Sequence, residues 1–175
     1  MKKKPINSIK EYGGDLLRTR KGRQGPRPVS VYDSMHFVLR STKAKGKWSF
    51  RTPKNFLRIE KILQTFASRH GVEILNYAIH FNHVHFSAQV SSINGYKKFI
   101  RAVTGAIAMA ITGMSCWNPL DLKFWDRRPF SRIVRGHAEE VVLDDYIEIN
   151  KYEAEGFTRE EARRRYHRDR KQRTA

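Results

Sequence analysis

Apolar residues along this chain change spacing in a regular order, and that order limits the fold. Met35-His36-Phe37-Val38-Leu39-Arg40 is a short run of strand type. Residues 41–48 form a Lys/Gly loop, a hairpin tip or loose connection. Thr52-Pro53-Lys54-Asn55 then opens a helix, and Phe56, Ile59, Leu63 and Phe66 recur at helical spacing until His70-Gly71 closes it. Residues 72–80 and 83–90 read as two strands joined by a tight Phe81-Asn82 turn. Ser91-Ser92-Ile93-Asn94-Gly95 caps a second helix, striped by Phe99, Val103, Ala106/Ile107 and Ala110 and ended by Gly113. Residues 129–134 are a fourth strand, and residues 139–152 a third helix that ends near Gly156. The order is β-α-β-β-α-β-α. It predicts an α+β fold of the ferredoxin-like, split βαβ kind: one antiparallel sheet with helices on one face. The other face is then open to a flat ligand.

The chain has 175 residues, enough for one core without staples. Its formal net charge is +18, which selects a polyanionic partner, nucleic acid ahead of an anionic membrane. The charge is uneven. Residues 1–28 hold nine basic and two acidic residues, and residues 159–175 hold eight and three. The expected organisation is a basic flexible arm over 1–28, a globular domain over 29–156, and a basic helix or tail over 157–175. Thr158-Arg159-Glu160-Glu161 is a helix-start signal that would allow the tail to fold when bound. A solvated tail is the other reading of both ends. The single Cys116 excludes an internal disulfide and any CxxC motif. There is no apolar run of membrane-spanning length, and the lysines after Met1 lack the apolar core of a signal peptide. The expectation is a cytoplasmic, nucleoid-associated protein with no membrane partner.

Asn82-His83-Val84-His85-Phe86 carries the sharpest chemical signal. Residues two apart on a strand share a face, so His83 and His85 present two imidazoles side by side, with Val84 turned to the core. Such a pair can share one divalent cation; it can also be two polar residues on a solvated strand. By the same parity His80, three residues before His83, faces away unless the turn intervenes. His36 is structural or turned toward nucleic acid. In the third helix Tyr146 and Asn150 are four apart and stack on one helix face. An amide oxygen at Asn150 could complete a two-histidine site and leave room for a phosphate, with Tyr146 beside it as a nucleophile. The alternative for Tyr146 is a packed aromatic next to Val142 and Ile149.

The stretch from Trp117 to Arg135 interleaves aromatic and basic residues, among them Phe124, Trp125, Arg127, Arg128, Phe130 and Arg132. Aromatic faces stack unpaired bases and guanidinium groups follow phosphates, so the stretch suits a single strand, unless its aromatics are core. Lys97, Lys98 and Arg101 add charge to the second helix, and Lys43-Ala44-Lys45-Gly46-Lys47 is another place a phosphate could be held.

Taken together, Asn82-His83-Val84-His85, a long helix, a basic aromatic strand and Tyr146-Ile147-x-x-Asn150 resemble the single-tyrosine HUH transposases, and most closely the REP-associated tyrosine transposases and their insertion-sequence relatives. The resemblance spans about residues 29–156. Family members commonly carry Pro where this chain has Phe81, Met where it has His80, and Pro after the asparagine where it has Lys151. The resemblance implies that His83, His85 and Asn150 bind Mg²⁺ or Mn²⁺. It implies that Tyr146 attacks a DNA phosphate, keeping a 5′-phosphotyrosine and releasing a 3′-OH. It further implies single-stranded and hairpin DNA as partners, residues Lys97, Lys98, Arg101, Trp125, Arg127, Arg128, Arg132 and Arg135 as DNA contacts, and no small-molecule cofactor. Whether the tyrosine serves its own site or that of a homodimer partner stays open. The rival reading is a non-catalytic, ferredoxin-like module binding RNA or hairpin DNA. Against it, histidines stand where such sheets carry exposed aromatics.

Overall fold

The computed structural model describes residues 28–173, so the arm read over 1–28 lies almost wholly outside the described residues. Four strands, β1 (Ser34–Arg40), β2 (Val72–Ile79), β3 (His83–Val90) and β4 (Phe130–Val134), form one sheet in the order β2-β3-β1-β4. Every neighbouring pair is antiparallel. Helices α1 (Pro53–His70) and α2 (Ile93–Thr112) make the two crossovers. This is the split βαβ arrangement that the apolar pattern predicts, with β1 and β3 at its centre.

Strand alternation divides the sheet into two faces. Met35, Phe37, Leu39, Val84, Phe86, Ala88 and Ile79 point to one side and join Ile59, Leu63, Phe99, Val103 and Ile107 of α1 and α2 in a single buried cluster. Each Phe or Leu of this size withdrawn from water stabilises by about 1.5–3 kcal/mol, so this layer carries the fold. Thr52 caps α1 by accepting from Asn55 N, and Pro53 stands at its first position, where a missing N–H costs nothing. Gly71 ends α1 in the left-handed region at φ 64°, which a side chain would strain. Gly95 lets α2 start against the end of α1: a Cβ there would lie 2.4 Å from the His70 carbonyl oxygen.

The opposite face carries Ser34, His36, His83, His85, Ala78 and Val134. Helix α3 (Gly136–Ala154) packs here, with Leu143 and Ile147 against Ala78 and Val134, so helices lie on both faces and this face is not left open as the strand and helix order predicts: the apolar side of α3 needs a sheet surface to bury it. It begins three residues earlier than the sequence pattern predicts. Glu139 reaches back to accept from Arg135 N at 3.3 Å and from Arg132 at 2.7 Å, so a side chain supplies the start that Gly136 alone would not. A register shift between Ile74 and Asn76 puts Ile74 and Tyr77 into the same core and leaves Leu75 exposed.

The basic C-terminal end is a helix, α4 (Arg159–Arg173), docked on α3. The start signal operates: Thr158 Oγ1 donates to Glu161 Oε2 at 2.8 Å, and Glu161 N donates back to Thr158 Oγ1 at 3.4 Å. Ala162 is wholly buried, and Tyr152 donates to Asp169 at 2.7 Å. α3 supplies the surface that a solvated tail would lack. No helix among the described residues is long and apolar enough to cross a membrane.

Candidate active site

Four imidazoles and one phenol meet on the second face of the sheet. The His83 and His85 rings are 4.8 Å apart and nearly perpendicular, as two residues of one strand face allow. His36 on the neighbouring strand stacks on His85, with Nε2 3.2 Å from His85 Nδ1. Tyr146 of α3 sets its ring edge-on to both, 5.3 Å from His85 and 6.0 Å from His36. His80 stacks on His83 at 4.5 Å, which corrects the parity expectation. The turn does intervene: Phe81 and Asn82 form a two-residue hairpin loop, and His80 N donates to His83 O at 2.8 Å. Residues 80 and 83 are thus cross-strand partners and share a face. The hairpin tip is fixed from outside, with Ser41 N bonded to Asn82 O and Phe50 N to Phe81 O.

Hydrogen bonds leave a consistent edge to this cluster. His83 Nδ1 meets Asn82 Oδ1 at 2.8 Å. An amide oxygen only accepts, so His83 carries its hydrogen on Nδ1 and keeps a lone pair on Nε2. Burial, then the charge of His80 and of Arg40, lowers His83 to about 4. Burial and neighbouring histidines, with Arg159 last, take His85 down to about 2. Burial and then Arg132 bring His36 to about 4. Burial also lowers His80, with Arg51 adding to it and Glu153 opposing it. These rings are neutral at pH 7, the form that binds a metal.

Asn150 is buried one turn beyond Tyr146, and its amide nitrogen donates to Tyr146 O at 2.7 Å. That bond leaves Oδ1 as the group Asn150 offers. Two imidazole nitrogens and an amide oxygen suit a borderline divalent cation such as Mn²⁺, and Mg²⁺ less closely. Among the described residues, no three His, Cys, Asp or Glu side chains gather with the disposition to hold a metal ion, so the set depends on the amide.

The guanidinium groups around the histidines were the least visible part of the site in the sequence. Arg40 lies across from His83 and Arg132 across from His36 in the strand registers. Arg159, from the first turn of α4, stands over the Tyr146 ring, 5.2 Å from its centroid, and bonds Glu153 at 2.8 Å. Of these only Arg132 stood out by pattern. Residues 31–150 match the family model described as transposase, IS200-like.

The chain belongs to the IS200-like transposases.

In fold it is similar to a REP-associated tyrosine transposase solved bound to a REP hairpin. The TM-score is 0.53 at 14% identity, over 75% of this chain and 73% of that one. A candidate transposase from Deinococcus radiodurans R1 aligns over 74% of this chain and 96% of its own, at 17% identity and a TM-score of 0.45. No curated protein matches the chain. In this IS200-like transposase Arg159 lies beyond the matched residues, as does the whole of α4.

The other residues singled out by sequence are scattered. Arg127 and Arg128 are exposed just before β4, and Arg135 is exposed just after it. Lys97, Lys98 and Arg101 are exposed on α2, whose buried side packs on the face opposite the histidines, so the fold does not bring them to the cluster. Trp125 does not offer a free ring: it packs against Phe50 and Phe124, and its indole N–H donates to Thr104 O at 3.0 Å. Phe124 is buried core, while Trp117 is exposed.

Proposed function

We propose that this transposase cuts and rejoins single-stranded DNA through Tyr146, next to DNA hairpins. The observation that carries the reading is the position of Tyr146. Its ring meets His85 edge-on and lies under Arg159, all within one chain. A packed aromatic would need neither a cation above it nor two neutral imidazoles beside it.

In this reading His83 Nε2, His85 Nε2 and Asn150 Oδ1 would hold the metal. The Mg²⁺ or Mn²⁺ so bound would polarise the scissile phosphate and offset charge developing on its oxygens. Arg159 and Arg132 add fixed positive charge toward the same oxygens. Tyr146 Oη attacks phosphorus, the bond to the 3′-oxygen breaks, and that oxygen leaves with the proton the phenol gives up. The products are a 5′-phosphotyrosine and a free 3′-OH. Bond count is unchanged, so the reverse attack by a 3′-OH rejoins DNA without a nucleotide cofactor. Arg127, Arg128 and Arg135 flank the site on its β4 side and suit the approaching strand. Hairpin DNA is extended to this chain from the fold-related protein solved with a REP hairpin.

The test is incubation with labelled hairpin-bearing single strands and Mn²⁺, a denaturing gel, and peptide mapping. We expect an adduct on Tyr146 that Tyr146→Phe abolishes while binding persists. An adduct on Tyr152, whose hydroxyl is already given to Asp169, would overturn the assignment.

A further inference from the structure

His36 is buried on β1, the strand paired on both sides, yet it is a polar ring in a layer that otherwise closes with Ala78, Val134 and Ile147. A buried imidazole left without a hydrogen-bond partner is destabilising. Its partner is His85: Nε2 to Nδ1 is 3.2 Å, with the rings stacked 18° from parallel. Phe130 stands edge-on to His36 at 5.9 Å and Tyr146 at 6.0 Å. The ring is wedged between a β4 aromatic and an α3 aromatic, so it has little room to turn.

Two directions are open to that hydrogen bond. If His36 donates, His85 accepts on Nδ1 and carries its own hydrogen on Nε2, which then cannot bind a cation. If His85 donates from Nδ1, its Nε2 keeps the lone pair. Neighbours that hold the other ring nitrogen of a ligating histidine fix its tautomer and orientation. Asn82 already does this for His83, because an amide oxygen can only accept. A second acceptor, on His85, would give the two rings of the strand the same tautomer.

We infer that His36 is a positioning residue: its Nε2 accepts the hydrogen of His85 Nδ1 and so presents His85 Nε2 as a lone-pair donor to a divalent cation. The inference rests on the metal-binding reading above, but the orientation itself can be read without metal.

The experiment uses the full chain labelled with ¹⁵N-histidine. Two-bond proton–nitrogen spectra of the metal-free protein report the tautomer of His85. Mn²⁺ titration followed by electron paramagnetic resonance reports affinity. His36→Gln keeps an acceptor oxygen near the position of Nε2, whereas the shorter side chain of His36→Asn does not reach it. We expect His85 to be an Nδ1–H tautomer in the wild type and in His36→Gln, with Mn²⁺ affinity within about threefold of each other. His36→Asn should lose the uniform tautomer and about 10–100-fold in Mn²⁺ affinity. An Nε2–H tautomer in the wild type overturns the inference. So does an Asn variant that is folded and keeps both signatures. If the Asn variant fails to fold, the wild-type tautomer decides. An Nδ1–H tautomer in a wild type that binds no Mn²⁺ sinks the metal reading itself, and the two failures are told apart.

Discussion

Tyr166 donates its hydroxyl to Asp145 Oδ1 at 2.5 Å, tying α4 to α3 at the residue immediately before Tyr146. Arg170 bonds the same carboxylate at 2.7 Å. A helix that follows the globular domain is thereby fastened beside the phenol, and it is the helix that brings Arg159 over the Tyr146 ring.

Tyr166→Phe removes the hydroxyl but keeps the ring. A hydrogen bond to a charged group contributes about 1.5–3 kcal/mol when sheltered, and this half-exposed one should give about 1 kcal/mol. The expected outcome is a small drop in melting temperature, with faster proteolysis around residues 155–158. Calorimetry and limited digestion measure the two; unchanged digestion would mean that α4 is held by Ala162 and Arg159 without Tyr166.

Arg159→Gln keeps a polar side chain but removes the charge. Loss of one fixed group of this kind costs about 10²–10³-fold in rate when it faces developing charge. Single-turnover adduct formation at saturating DNA should fall by about that factor, with partial recovery in Arg159→Lys. A rate that stays at the wild-type value would assign Arg159 to holding α4 alone, through Glu153.

The lowered histidines set a pH dependence. His36 and His83 are held near 4, below an ordinary value of 6.5, so protons bind the unfolded chain more readily than the folded one. The stability they contribute is present above about pH 6.5 and lost as pH falls toward about 4. Urea midpoints should therefore fall across that window. Mn²⁺ affinity should stay level from pH 8 to about pH 5, because protons compete for these rings only below that. An ordinary exposed pair would already weaken near pH 6.

Lys97, Lys98 and Arg101 lie across the molecule from the histidines. Replacing all three by glutamate should change binding more than chemistry. The slope of log affinity against log salt falls by about 0.7 for each phosphate that the protein no longer neutralises. The adduct rate at saturating DNA should stay the same. A salt slope equal to that of the wild type would show that the strand does not reach α2.

The strands, crossovers and the His83-Val84-His85 element were legible because each is a local pattern, period two or near 3.6, bounded by Gly71, Gly113 or Pro53. Tyr146 with Asn150 was legible as spacing on a helix. The role of His80 was not, because strand parity fails across a two-residue turn, and only the pairing of residues 80 and 83 reveals it. Arg40 on β1, Arg51 in the turn before α1 and Arg159 on α4 are far apart in sequence, and only tertiary packing makes them neighbours of the histidines. Trp125 fits a stacking pattern in sequence, yet Thr104 O and Phe50 take up the same ring chemistry inside the protein.

Tyr146 meets His85 of its own polypeptide edge-on and Arg159 covers its ring, so in the proposed reading one copy of the chain supplies nucleophile, histidine and cation together. Turnover by such a catalyst would scale linearly with protein, and dilution to the nanomolar range would leave the rate per molecule constant.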